Sequence, residues 1–503
     1  MTAKKSATRL TTKVAVLSLI TFCLLFSPSA ASARISEATE ACLECHGSVT
    51  PGIVGDWQRS RHASVTPEEG IRAEKLSRRI SADSVEASLQ GYVVGCAECH
   101  MTTTDKHTDS YEHNGYQIHT VVTPEDCARC HPVESDQFRE NLMSFAHVNL
   151  ENNALYHTMT EAINGRQRFE KMKTLLEPPD QSTNDQSCRY CHGTKVTVER
   201  FAERQTVLGN MQFPVLNGWP NQGVGRINPD GSQGTCSACH ARHQFSIEVA
   251  RKPYTCAECH KGPDVPAYKV YEVSKHGNIF SSQKESWNFG SVPWTVGKDY
   301  TAPTCAACHV SLVVKEDGEI VSERTHRMND RLDKRLFGLI YAHPHPISPN
   351  TSLIKNRAGL PLPTELTGEP ADGFLIDKAE QERRLTTFKS VCQACHSSQW
   401  TENHFVGLER TLEVTNDMTL TATLILQEAW ESGFAAGLPQ GQNLFDEAIE
   451  KMWVRQWLFY ANSTRFAAAM AGADYGVFAE GRWWMAENVQ QMHDWLKFRL
   501  KKN

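Results

Sequence analysis

The chain has 503 residues, 52 basic against 58 acidic side chains, and a formal net charge of −6. A mildly acidic balance argues against nucleic acid as a partner and suits docking of small basic redox proteins. The length exceeds one ordinary core, and 17 cysteines beside 21 histidines exceed what packing alone asks for.

The N-terminus reads as an export signal. Lys4, Lys5, Arg9 and Lys13 precede an apolar run from Val14 to Phe26, and Ala31-Ser32-Ala33 offers a small-residue cleavage site. The expectation is a signal over residues 1–33 and a soluble, periplasmic or otherwise exported product whose net charge moves from −6 to −10. Cys23 lies in the apolar run and leaves with it.

The remaining sixteen cysteines fall into eight Cys-x-x-Cys-His units. In chain order these are Cys42, Cys45 and His46; Cys96, Cys99 and His100; Cys127, Cys130 and His131; Cys188, Cys191 and His192. Then come Cys236, Cys239 and His240; Cys256, Cys259 and His260; Cys305, Cys308 and His309; Cys392, Cys395 and His396. Structural zinc would pair the units and need no histidine after each second cysteine. A thioredoxin-like site comes singly, and a disulfide framework has no use for the histidine. Covalent haem c explains every position: two thioether sulfurs and one axial imidazole per unit. Eight haems are expected.

Each iron has a second axial position, and thirteen histidines lie outside the units. A lone histidine is ordinarily a surface or core residue, but here the spare imidazoles sit among irons that bind them well. His62, His243, His276, His326 and His404 are the first candidates, with His147 next. One of His107, His113 and His119 is expected to ligate, and His113 is favoured. His343, His345 and His493 are left as ordinary histidines.

From Cys42 to His396 there is one unit per about 44 residues, too dense for protein-only cores. Haems wrapped by short helices and loops are expected, giving a mainly α fold with a haem-packed core over residues 34–404. Residues 311–323 read as a hairpin turning at Asp317-Gly318, while 216–234 and 342–370 read as long loops. Residues 405–503 form a C-terminal region of long helices, with helical periodicity over 419–438, 444–472 and 481–502. Trp453, Trp457, Phe459 and Tyr460 crowd the middle helix, as an internal core or a subunit interface.

The units and their flanks resemble the octahaem hydroxylamine oxidoreductase family. The likeness is greatest in "CSACHARHQFS", "ARKPYTCAECHKGPD", "YEVSKHG" and "TAPTCAACH", which follow in that order within 236–309. The resemblance implies a helical fold with closely packed haems, often a homotrimer, that exchanges electrons with a small or quinol-linked cytochrome. It also implies catalysis at the fourth haem, on Cys188, Cys191 and His192, whose iron is five-coordinate, with seven bis-histidine carriers. Oxidative members carry an Asp-His pair over that haem; here the positions read Asp264 and Val265. They also carry a tyrosine joined to the haem of a neighbouring subunit; here "DYGVFAEGRW" places Phe478 there, or Tyr475 if a short gap is allowed. Without the tyrosine the family works reductively, so reduction of nitrite, nitric oxide or hydroxylamine is expected, with His192 and Asp264 as the catalytic pair. Hydroxylamine or hydrazine oxidation and a non-catalytic electron conduit are the alternatives.

Overall fold

The computed structural model describes residues 34–371, 373–437, 443–470 and 481–501. Among these the chain is mainly α-helical with five small sheets, none of more than three strands. Many helices are a turn or two long, and proline starts several of them. Pro124 opens Pro124–Ala128 and Pro253 opens Pro253–Ala257, each leading into a haem unit. Proline at the first helical position lacks only an N–H that would be unpaired there anyway.

Three long helices stand apart. Ser398–Glu431 starts at Ser397, whose hydroxyl accepts from the Trp400 N–H, and runs 34 residues. Ala448–Val454 continues through a π-helical turn at Arg455–Tyr460 into Ala461–Met470. Arg482–Leu500 closes the described chain. The first of these begins well before residue 419, so position 404 lies inside a continuous helix. No described helix is long and apolar enough to cross a membrane.

The largest apolar cluster lies between these helices, with Leu426, Trp430, Trp453, Trp457 and Met492 at its centre and Tyr341 and Leu362 brought in from the preceding loops. Trp453 and Trp457 are 2 % and 1 % exposed, so for these two rings the internal-core reading holds. A buried threonine stripe runs along the long helix. Thr415, Thr419 and Thr423 each donate a hydroxyl hydrogen bond one turn back, and Thr423 Oγ1 accepts from the Trp453 indole at 2.9 Å. A second cluster groups Phe280, Trp287, Phe289, Trp294 and Tyr300; a third joins Val270, Phe466 and Ala467.

No buried member of any cluster precedes Val270. That earlier stretch carries six of the eight Cys-x-x-Cys-His units. A described segment of over 230 residues thus has no apolar cluster of its own and needs a bulky group for its short helices to pack around.

The 311–323 hairpin forms: Val313–Val314 pairs antiparallel with Ile320–Ser322, with Gly318 at φ +86°, and Trp294–Thr295 adds a parallel strand. Two hairpins around unit four were not anticipated. Arg166–Glu170 pairs with Lys173–Glu177, and Thr197–Thr206 pairs with Gly209–Asn217.

Candidate functional site

Units two, four and seven are five-residue helices made of the motif alone: Cys96–His100, Cys188–His192 and Cys305–His309. One helical turn sets the first cysteine and the histidine, four apart, on one face. Sulfur attachment and axial ligation then come from the same side of a macrocycle. No described cysteine is in a disulfide.

The backbone orients the axial imidazoles. His100 Nδ1 donates to the His119 carbonyl at 2.8 Å and His192 Nδ1 to the Ala146 carbonyl at 3.1 Å. A carbonyl only accepts, so Nδ1 carries the proton and Nε2 keeps its lone pair for iron. His46 Nδ1 lies 3.0 Å from Thr50 Oγ1.

Five units have a second imidazole about 6 Å from the first. Ring centroids are 6.2 Å apart for His46–His113, 6.4 Å for His131–His62, 6.4 Å for His240–His326, 6.1 Å for His396–His276 and 5.9 Å for His100–His119, whose His119 ring also stacks on His107. Two metal–imidazole bonds of about 2 Å, plus about 1 Å from each nitrogen to its ring centre, require about 6 Å. The gap between each pair fits one iron. Burial pushes His62, His240, His309 and His326 down to about 4, which keeps them in the neutral, metal-binding form.

The other candidates are placed differently. His243 lies within electrostatic reach of His100. His147 hooks onto unit four through Nδ1, 2.7 Å from the Gly193 carbonyl, the reciprocal of the His192–Ala146 bond. His404 stacks on Trp400, which stacks on His396 at 3.9 Å, and His404 Nε2 donates to the Ala469 carbonyl at 3.2 Å. Beside His260 and His309 the described ring neighbours are Phe337 at 6.5 Å and Phe388 at 5.8 Å.

His107 and His119 form a separate group. Their rings stack at 3.7 Å, with His107 Nδ1 3.2 Å from Asp109 and Nε2 3.4 Å from Asp126. The three side chains are spaced for a metal ion, but Asp126 already accepts from Thr102, Thr103 and both Thr123 donors. Parallel rings cannot both aim lone pairs at one ion. The arrangement is a buried imidazolium between carboxylates. Burial lowers the His107 pKa, yet the hydrogen bond to Asp109 and the nearby Asp126 carboxylate carry it up to about 9; Asp126 is held down at about 2, against burial, by His107 and its hydroxyl and backbone donors. The His107 contribution to stability is complete below the ordinary 6.5 and lost as pH rises through about 9. The Asp126 contribution is complete above 3.8 and lost as pH falls through about 2. The thermal midpoint is therefore expected to fall between pH 7 and pH 10, and to fall less in His107→Gln; parallel profiles for the two proteins would contradict this.

His343 and His345, assigned no role from sequence, are 2 % and 3 % exposed, and burial pushes both down to about 3. They are core residues. His343 Nδ1 donates to the Pro344 carbonyl at 2.7 Å while its buried Nε2 has no partner, the pattern of the axial imidazoles. The "HPHP" run in which both stand was the available signal.

Contacts between sulfurs give the order of the units in space. Cys42 meets Cys96, Cys127 meets Cys236, Cys191 meets Cys259 and Cys256 meets Cys305. Cys99 lies within electrostatic reach of Cys130, Cys239 of Cys256, and Cys308 of Cys392. The units run one, two, three, five, six, seven, eight, and unit four branches from unit six.

Asp264 lies at that branch, within electrostatic reach of His192 and His260, and its backbone carbonyl accepts from Asn462 Nδ2 at 2.8 Å. Its carboxylate folds over Gly262, where a Cβ would stand 2.4 Å from Oδ1. Val265 packs against the cluster of Val270, Phe466 and Ala467, beside Leu336 and Phe337. Phe478, Tyr475 and the signal segment lie outside the described residues.

Comparison with known proteins agrees with this construction. Residues 222–329 match the family model "Seven times multi-haem cytochrome CxxCH", and 41–131 match "Cytochrome c554 and c-prime". A curated relative from Kuenenia stuttgartiensis, a probable nitrite reductase-hydroxylamine oxidoreductase fusion protein, is 26 % identical over 380 residues. That match covers 72 % of this chain but 34 % of the relative, so the chain spans about a third of that protein. The fold of the Kuenenia stuttgartiensis reducing HAO-like protein complex Kustc0457/Kustc0458 is similar at a TM-score of 0.60 and 19 % identity, covering 93 % of this chain and 86 % of that one. A solved structure described as a hypothetical multiheme protein is 37 % identical, with a TM-score of 0.87 and 99 % of both chains covered. With covalent haem units, facing imidazoles and full-length likeness in agreement, this chain belongs to the hydroxylamine oxidoreductase-like family of multihaem cytochromes c.

Proposed function

We propose that the protein reduces small nitrogen compounds, namely nitrite, nitric oxide or hydroxylamine, at the haem carried by Cys188, Cys191 and His192. In this reading eight haems are bound. The haem-bearing region is 34–404, the C-terminal helical region is 405–503, and the mature protein is exported and works as a trimer with a small or quinol-linked cytochrome. His113, His62, His326 and His276, which face His46, His131, His240 and His396, complete four bis-histidine irons, and His147, His243 and His404 are the remaining candidates for the other three.

The observation that carries the direction is Val265. Its side chain joins an apolar cluster with Phe466 and Phe337, leaving Asp264 as the acid–base group of that loop. An oxidative site must take protons from a bound amine, which an imidazole does well at neutral pH. A reductive site needs protons delivered, which one carboxylate and water can do. Haem iron, when bound, supplies electrons and an open position for the substrate nitrogen. The branch at unit four suits this: electrons pass along the main row and are drawn off at unit six. The curated Kuenenia stuttgartiensis relative, a probable nitrite reductase-hydroxylamine oxidoreductase fusion protein, supports the same substrate class.

The test is turnover with reduced viologen as donor. Steady nitrite or hydroxylamine reduction, little hydroxylamine oxidation and one high-spin haem are expected. Fast hydroxylamine oxidation, or eight low-spin haems, overturns the proposal.

A further inference from the structure

Unit seven has a buried cation held directly beside it. Arg331, 2 % exposed, comes from the short helical turn Met328–Arg331. Its Nη1 donates to the carbonyls of Ala307 at 3.3 Å and Cys308 at 3.0 Å, and its Nη2 to those of Ser311 at 3.1 Å and of Glu323. The first two are C-terminal carbonyls of Cys305–His309, which lack helical partners and favour a cation. The local chain thus has a reason to hold the guanidinium next to the axial His309.

Four of the five guanidinium N–H groups are on the Nη atoms, and all four are directed at carbonyls. None of these remains for a carboxylate, whether from the protein or from a haem propionate. The nearby acid, Asp330, accepts from Thr325 Oγ1 at 3.3 Å and lies 3.8 Å from Arg327 Nε. Charges near units three and four are matched, whereas Arg226 beside unit five, 1 % exposed, donates to Asn228 Oδ1 and the Asn221 carbonyl and is in no ion pair among the described residues. Arg189 in unit four meets Glu151 at 2.9 Å and Asp185 at 3.0 Å, and Glu134 near His131 meets Arg324 at 2.7 Å. His309 feels the difference: after burial, Arg331 is the next cause that lowers its pKa.

We infer that Arg331 is a positioning residue that raises the reduction potential of the seventh haem. The physical reason is the sign of the charge. Ferric haem carries one more positive charge than ferrous haem, so a fixed buried cation destabilises the oxidised form. An arginine does so at every accessible pH. The inference concerns the electron row and its test uses no nitrogen compound, so it stands or falls apart from the reductive reading.

The experiment is a potentiometric titration of the full holoprotein followed by haem absorbance and spin resonance. Arg331→Gln removes the charge and keeps an amide for the carbonyls; one component of the titration should fall at least tenfold in its reduction equilibrium, about 59 mV for one electron. Arg331→Lys should hold that component within threefold. A titration with no component moved in Arg331→Gln overturns the inference, and so does an equal fall in Arg331→Lys, which would assign the effect to lost hydrogen bonds. If Arg331→Gln fails to retain its haems, Asp330→Asn removes the opposing charge and must raise the same component. No rise there overturns the inference as well.

Discussion

Replacing His326 with alanine is expected to convert one low-spin haem to high-spin and to lower stability sharply. The backbone at this position is held independently of the ring. The His326 N–H donates to Gln137 Oε1 at 2.8 Å, and its carbonyl accepts from Asn141 Nδ2 at 3.0 Å. Both partners follow unit three, so the segment stays in place when the imidazole is removed. The ring itself lies 6.4 Å from His240 in a buried gap. Truncating a side chain of this size in a core costs about 2–5 kcal/mol from the cavity alone, and the lost iron bond adds to that. Added imidazole should restore the low-spin signal by entering the cavity. A spectrum that keeps all its low-spin haems would remove His326 from the axial ligands.

Some of this architecture is written in single residues and some is not. Attachment was legible because thioether and axial chemistry dictate residue types at fixed spacing, as in "CSACH" and "CAACH". The facing rings of His62, His113, His276 and His326 were legible as a set of spare imidazoles, but their partners were not. His62 reaches His131 and His276 reaches His396 over 69 and 120 residues, set by how helices meet around haem. What separates His113 from its neighbours is spatial: it faces His46 at 6.2 Å, while His107 and His119 stack on each other beside Asp126.

The hairpins were invisible for a different reason. Strand patterns are read from alternation between a buried and a wet face. Every residue of Arg166–Glu170 is exposed, so nothing alternates. In Thr197–Thr206 the exposed residues likewise leave no apolar stripe. The long helix, by contrast, repeats Leu412, Thr415, Thr419, Ala422 and Leu426 toward its neighbours, and its period shows. Its polar members are threonines whose hydroxyls bond back along the helix, which is why a buried face could read as partly polar.

The second large effect is expected at Asp264. Asp264→Asn should lower nitrite or hydroxylamine reduction by about 10²–10⁴-fold, the usual contribution of a placed proton donor, while the haem count and low-spin signals stay unchanged. Gly262→Ala offers a gentler version of the same test. The added Cβ would stand 2.4 Å from Asp264 Oδ1, the free end of a flexible side chain, so the carboxylate moves and the fold does not. A partial loss of rate with a larger solvent isotope effect is expected, because proton delivery becomes slower while substrate binding is untouched. Val265→His alone should not create an oxidase. Its ring would enter the cluster of Phe466, Ala467 and Phe337, where an unpaired imidazole costs about 1–3 kcal/mol, and it would be held away from the proton it is meant to take. Full activity in Asp264→Asn would show that water alone supplies the protons, and the role given to this carboxylate would have to be withdrawn.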